Sequence, residues 1–149
     1  MELHLEDLDK NPFRQFEKWF QEASGAGLHE PNAMSLATVS KDGCPSLRTV
    51  LLKLWDENGF VFFTNHGSRK AQEIAANPNV ALLFYWAPLN RQIRIEGTTK
   101  RVSTAESLKY FVTRPRGSQL GAWSSEQSSA ISSRSVLLAK LTEIQRKFQ

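Results

Sequence analysis

The sequence is poor in the residues that build covalent or metal chemistry. It has one cysteine, Cys44, and three histidines, His4, His29 and His66, in 149 residues. A single thiol cannot close an internal disulfide or form a metal site alone. The imidazoles are scattered without partners at ligand spacing, so no metal centre is expected. No nucleophile–base–acid triad emerges, and Cys44 sits in a turn with no activating neighbour. No apolar run approaches the ~20 residues that a membrane-spanning helix needs. The first seven residues, MELHLED, are acidic and lack the basic start and apolar middle of a signal peptide. Internal repeats and low-complexity tracts are also missing. These absences fit a cytoplasmic, reducing setting with no membrane partner.

What is present is ordinary in bulk. A hydrophobic content of 40% and a charged content of 23% suit a globular fold, and the length suits one domain over residues 1–149. The formal net charge is +4 and the isoelectric point about 9.4. Nucleic acid, phosphorylated metabolites and acidic surfaces are all compatible with that charge, and so is a plain solvated surface. A nucleic-acid-binding barrel ranks last, because acidic residues are interspersed throughout and no aromatic–basic platform is evident.

Periodicity predicts the elements. Asn11-Pro12 is an N-cap followed by proline at the first helical position, and Phe13, Phe16, Trp19 and Phe20 recur at helical spacing over residues 12–24. Alternating segments predict strands over Met34–Ser40, Leu47–Trp55, Phe60–Thr64, Val80–Trp86 and Gln92–Val102, with turns at Lys41-Asp42-Gly43 and Asp56–Gly59. Ser68 caps a short helix through Ala76, with Ala71, Ile74 and Ala75 expected on its buried face. A capping box at Ser103–Glu106 opens a helix through about Val112, and a last helix starts near Ser133. The expected class is mainly β with flanking helices (α+β): a helix and barrel strands over about 12–102, then C-terminal helices over about 103–149. The last apolar pattern runs to Phe148 without a stop signal, and five strands with apolar edges need another strand to close them. Both features lead us to expect missing C-terminal sequence.

The residues that stand out chemically are cations among apolar strand residues. Arg48-Thr49-Val50-Leu51-Leu52-Lys53 precedes Phe62-Phe63-Thr64-Asn65-His66-Gly67-Ser68-Arg69-Lys70. Long cations stay off such strand faces unless something anionic meets them or they reach solvent. Strand alternation places Arg48, Val50, Leu52 and Leu54 on one face and Thr49, Leu51, Lys53 and Trp55 on the other. Arg48 and Lys53 therefore serve one small anion only if a bulge intervenes; otherwise they meet two anions. Gly67-Ser68-Arg69-Lys70, at a helix start, offers amides, a hydroxyl and two cations to an anion. Its glycine spacing excludes a Walker loop. Gln92 and Arg94 share a strand face, where an amide can address the edge of a heterocycle. Tyr110, Arg114 and Ser118 recur every four residues and could grip a phosphate, although Pro115 disfavours one continuous helix through them.

Taken together, these stretches resemble the pyridoxamine 5′-phosphate oxidase family. The resemblance runs from about Pro12 to Gln149 and also includes Asn90-Arg91-Gln92, Tyr110-Phe111, Arg114-Pro115-Arg116, Ser118–Ala122 and Glu126–Ser129. It implies an FMN-binding split β-barrel and a homodimer with flavin sites at the subunit interface. FMN contacts are implied for Arg48, Thr49, Val50, Leu51, Leu52, Lys53, Phe63, Thr64, Arg69, Lys70, Gln92, Gln127 and Ser128. Lys53, Tyr110, Arg114 and Ser118 are implied to hold the substrate phosphate. The implied reaction oxidises pyridoxamine or pyridoxine 5′-phosphate to pyridoxal 5′-phosphate, with dioxygen as acceptor and hydrogen peroxide released. The alternative is a non-catalytic split-barrel protein that binds flavin or a B6 phosphate. Family members also continue into a Trp- and Gly-containing segment and an Arg-x-His motif, and carry an N-terminal basic segment; none of these is in the sequence, so a shortened chain is expected.

Overall fold

A computed structural model describes residues 3–103 and residue 105. Its elements follow local chemistry closely. Helix α1 spans Pro12–Gly25, and the Asn11 side chain accepts hydrogen bonds from the Phe13 and Arg14 amides. Those amides have no partner inside the helix, so the cap supplies one. Strand β1 (Ala33–Val39) turns into β2 (Pro45–Asp56). In the turn the Gly43 amide donates to Ser40 O, and Gly43 sits at φ 83°, a left-handed conformation that glycine adopts without steric cost. Strand β3 (Gly59–Phe62), helix α2 (Arg69–Ala76), strand β4 (Asn79–Trp86) and strand β5 (Arg91–Thr98) complete the order. Short 3-10 turns occupy Leu5–Asp7 and Ala87–Leu89.

The strands form one antiparallel sheet in the order β3-β2-β1-β4-β5. Three of the four pairings join strands adjacent in sequence. The fourth, β1 with β4, aligns Leu36 with Leu82 and binds the two hairpin halves together.

One face of the sheet carries the core: Met34, Leu36, Val50, Leu52, Leu82, Phe84 and Trp86 are buried. Phe16 from α1 enters this layer, with ring centroids 5.4 Å from Trp55, 5.0 Å from Phe60 and 5.2 Å from Phe84, all edge-on. Edge-to-face packing is the arrangement that aromatic quadrupoles favour. Trp86 Nε1 donates to Pro31 O, so its one polar atom is satisfied inside the core.

Three expectations differ from the structure. The alternation of β2 breaks, because Leu52 pairs with Phe62 but Leu54 pairs with Val61. This bulge leaves two residues between core-facing Leu52 and Trp55. Leu54 is 62% exposed instead of joining the Arg48 face, and Trp55 packs on the core instead of opposing it. Strand β5 ends at Thr98, not Val102. Its ladder with β4 stops at Asn79, since Pro78 has no amide to donate; its carbonyl still accepts the Thr99 amide. Strand β3 ends at Phe62, and the chain leaves the sheet through Phe63 and Thr64 toward α2. The helices expected from Ser103 and from Ser133 lie outside the described residues.

Candidate functional site

Helix α2 is short, and two charged residues occupy its sheet-facing side. The Ser68 side chain caps it by accepting from the Ala71 amide, and its Oγ lies 3.2 Å from Thr64 Oγ1. Lys70 and Glu73 are the buried residues of this helix, at 4% and 7% exposure. Ala71 and Ile74 are half-buried and Ala75 is exposed, so the apolar face expected from the sequence is displaced by a charged one. Charges on a buried face require partners from the opposing element.

Strands β1 and β2 supply the partners of Glu73. Their register sets Thr38 opposite Ser46 and Leu36 opposite Arg48. Glu73 Oε2 accepts from Ser46 Oγ at 2.6 Å, from Thr38 Oγ1 at 2.5 Å and from Arg48 Nη2 at 3.2 Å. Its Oε1 accepts from Arg69 Nε at 2.8 Å. Arg48 Nη1 also donates to Leu36 O at 3.2 Å and to Thr38 Oγ1, while Nη2 donates to Ser46 Oγ at 2.6 Å. One carboxylate thus ties two guanidinium groups and two hydroxyls across three elements.

The electrostatics follow from these contacts. Hydrogen bonds from Ser46 and Thr38, then Arg69 and Arg48, lower the Glu73 pKa to about 2, against the opposing effect of burial. Burial, and then the nearby Arg48 charge, push the Lys70 ammonium below its usual range. Among the described residues Lys70 has no carboxylate partner. The cluster therefore holds three cations, Arg48, Arg69 and Lys70, around one carboxylate, Glu73. Such a surplus beside the first turn of a helix suits an anion with several oxygens, and a phosphate monoester fits it.

The sequence-predicted residues divide by face. Arg48, Val50 and Leu52 lie on the core face, where Arg48 joins the Glu73 network. Thr49, Leu51 and half-buried Lys53 lie on the opposite face, so the bulge does not unite Lys53 with Arg48. Gln92 is exposed on β5 opposite Tyr85, and it too lies on the face away from Arg48. Phe63 and Thr64 bridge β3 to α2 and are half-buried. Arg69 and Lys70 form the first turn of α2. The described part of the chain thus gathers Arg48, Thr64, Arg69 and Lys70 near α2 and leaves Thr49, Leu51, Lys53 and Gln92 on the outer face. Tyr110, Arg114, Ser118, Gln127 and Ser128 lie outside the described residues.

Sequence reasoning missed Glu73, with Thr38 and Ser46. A signal was present: Glu73 follows Arg69 by four residues on one helix, and Ser46 and Arg48 share a strand face. The β1–β2 register and the docking of α2 were needed to join them.

Comparisons with known proteins bear on the family and the fold. Residues 20–148 match the family described as Pyridoxamine 5'-phosphate oxidase. A pyridoxine/pyridoxamine 5'-phosphate oxidase of Crocosphaera subtropica is 67% identical over 147 residues, covering 99% of this chain and 69% of that protein. One from Aliarcobacter butzleri is 62% identical, covering 98% of this chain and 69% of its own length. Among solved structures, PhzG from Burkholderia lata, in complex with tetrahydrophenazine-1-carboxylic acid, superposes with a TM-score of 0.91 at 27% identity, covering 99% of this chain and 74% of that one. A pyridoxamine 5'-phosphate oxidase-related, FMN binding protein from Nostoc punctiforme shares the fold, with a TM-score of 0.67 at 18% identity over 93% of this chain and 73% of its own. The split-barrel architecture expected from the sequence is thus the observed one, and the five strands and two α-helices among the described residues place the cation cluster beside α2. This chain belongs to the pyridoxamine 5′-phosphate oxidase family of oxidoreductases.

Proposed function

We propose that the chain binds FMN and oxidises pyridoxamine or pyridoxine 5′-phosphate to pyridoxal 5′-phosphate, with dioxygen as acceptor and hydrogen peroxide as product. The observation that carries the FMN reading is Lys70: a buried ammonium beside Arg48, without a carboxylate partner among the described residues. Lys70 and Arg69 are the cations proposed to meet the flavin phosphate, with Arg48 adding its charge from within the fold. Residues 48–53, Phe63, Thr64 and Gln92 are proposed to frame the flavin, together with Gln127 and Ser128. When bound, FMN supplies the two-electron acceptor for the reaction. Lys53, Tyr110, Arg114 and Ser118 are proposed to hold the substrate phosphate and so orient the carbon to be oxidised. Thr49, Leu51, Lys53 and Gln92 share a face remote from the α2 cluster, which supports a homodimer whose sites draw on two copies of the chain.

The similarity to PhzG favours one further reading, an oxidase of this family acting on another small cyclic substrate. Both readings are tested together. The purified chain is expected to show flavin absorbance, or to take up added FMN, and to release peroxide with pyridoxine 5′-phosphate. Failure to bind flavin refutes the cofactor assignment. Flavin binding without peroxide release refutes the oxidase reading for this substrate and directs the assay to other small cyclic electron donors, or to a pure binding role.

A further inference from the structure

Glu73 has a geometry that docking α2 alone does not require. Its Oε2 already joins the helix to the sheet through Thr38, Ser46 and Arg48. Its Oε1 does something separate: it holds Arg69 by Nε, the one guanidinium nitrogen that lies along the stem. The Arg69 side chain remains 65% exposed. An arginine held at Nε keeps both terminal nitrogens available, and these form the fork that matches two oxygens of a phosphate. The same carboxylate holds Arg48 on the inner side, largely buried and next to Lys70.

We propose that Glu73 is a positioning residue for the flavin phosphate: it aims the Arg69 fork outward and holds Arg48 behind Lys70, so that the cluster discriminates a phosphorylated flavin from an unphosphorylated one. This rests on the FMN reading given above. Glu73 touches neither cofactor nor substrate in this role; it acts through Arg48 and Arg69. A purely structural carboxylate would affect stability, or affinity for every flavin, but not the difference between two flavins that differ only in the phosphate.

The test is a fluorescence titration with FMN and with riboflavin of the wild-type chain, Glu73→Gln, Ser46→Ala and Lys70→Met, with thermal unfolding followed in parallel. Glu73→Gln keeps the shape and removes the charge. It is expected to reduce the preference for FMN over riboflavin about tenfold, the scale of one well-placed charged hydrogen bond, with riboflavin affinity within about twofold of wild type. Ser46→Ala removes one donor to Glu73 at a half-buried position, and about a threefold loss of preference is expected. This variant decides the matter if Glu73→Gln does not fold. An unchanged preference in the folded variants, or equal weakening of both flavins, overturns the proposal. If Lys70→Met also keeps the wild-type preference, the phosphate assignment itself falls, and with it the role of Glu73. If Lys70→Met loses the preference while Glu73→Gln keeps it, only the Glu73 proposal falls.

Discussion

Replacing Lys70 with methionine should move stability and cofactor affinity in opposite directions. Lys70 is 4% exposed, and both burial and Arg48 disfavour its charged form in the fold. Its folded-state pKa lies below the ordinary value of 10.5, so its charge costs stability at neutral pH, and the cost is relieved as pH rises from the folded value toward 10.5. Methionine has a similar length and no charge, so it fills the same space without that cost. The flavin-free variant is expected to unfold at a higher temperature, by about 2–4 °C for each kcal/mol gained in a chain of this size. The phosphate loses its charged donor at the same time. A charged hydrogen bond contributes about 1.5–3 kcal/mol, which corresponds to roughly 10- to 100-fold in Kd for FMN. Tryptophan fluorescence reads the unfolding of the flavin-free chain, and a flavin titration reads the affinity. The reasoning is refuted if the variant binds FMN within a factor of about two of wild type, or if the flavin-free form loses stability.

Three further outcomes are expected. Removing Glu73 alone (Glu73→Met) leaves Arg48 without its carboxylate and should cost about 3–5 kcal/mol in urea unfolding, whereas Arg48→Met with Glu73→Met should cost clearly less than the sum of the two single changes; additive costs would show that the pair is not coupled. The Glu73 pKa is depressed to about 2, so its stabilising contribution is complete above about pH 4.5 and is lost as pH falls toward 2; unfolding measured across that window should show a shallower acid limb in Glu73→Gln, and an identical slope would contradict the assignment. Phe16 is 3% exposed and meets Trp55, Phe60 and Phe84 edge-on, so Phe16→Ala should cost about 3–5 kcal/mol, lowering Tm by on the order of 10 °C; a loss below about 1 kcal/mol would mean that α1 is not held by this contact.

Much of the fold was legible because its signals are local. The Asn11 cap, Pro12 and the aromatic spacing of α1 lie within a dozen residues, and the Ser68 cap lies one residue before α2. The hairpin turns also read directly, since glycine at Gly43 marks a backbone conformation that few residues accept. What escaped depended on pairing. The bulge that turns Leu54 outward and Trp55 inward arises from the register between β2 and β3, and alternation within β2 alone carries no trace of it. The end of β5 at Thr98 depends on Pro78, the residue just before β4 on the other side of the ladder. The buried face of α2 was read as alanine and isoleucine because apolar residues are the usual core; Glu73 occupies it because Thr38, Ser46 and Arg48 stand opposite, and Lys70 is buried there beside Arg48.

The candidate site divides in the same way. The sequence by itself showed cations at Arg48, Arg69 and Lys70 and a helix start at Ser68, because residue type carries charge and short spacing carries capping; that Arg48 meets the other two was only implied by the resemblance. Alternation placed Arg48 and Lys53 on opposite faces only for a regular strand; a bulge is present just past Leu52, and the structure had to show that Lys53 still lies on the other face. Only the tertiary structure decided which cations are held inside the fold and which remain available. That outcome depends on a carboxylate 25 residues from Arg48 in sequence meeting it at 3.2 Å. Long-range contact sets burial, burial sets the strength of every charge interaction, and neither can be read from residues that are neighbours only along the chain.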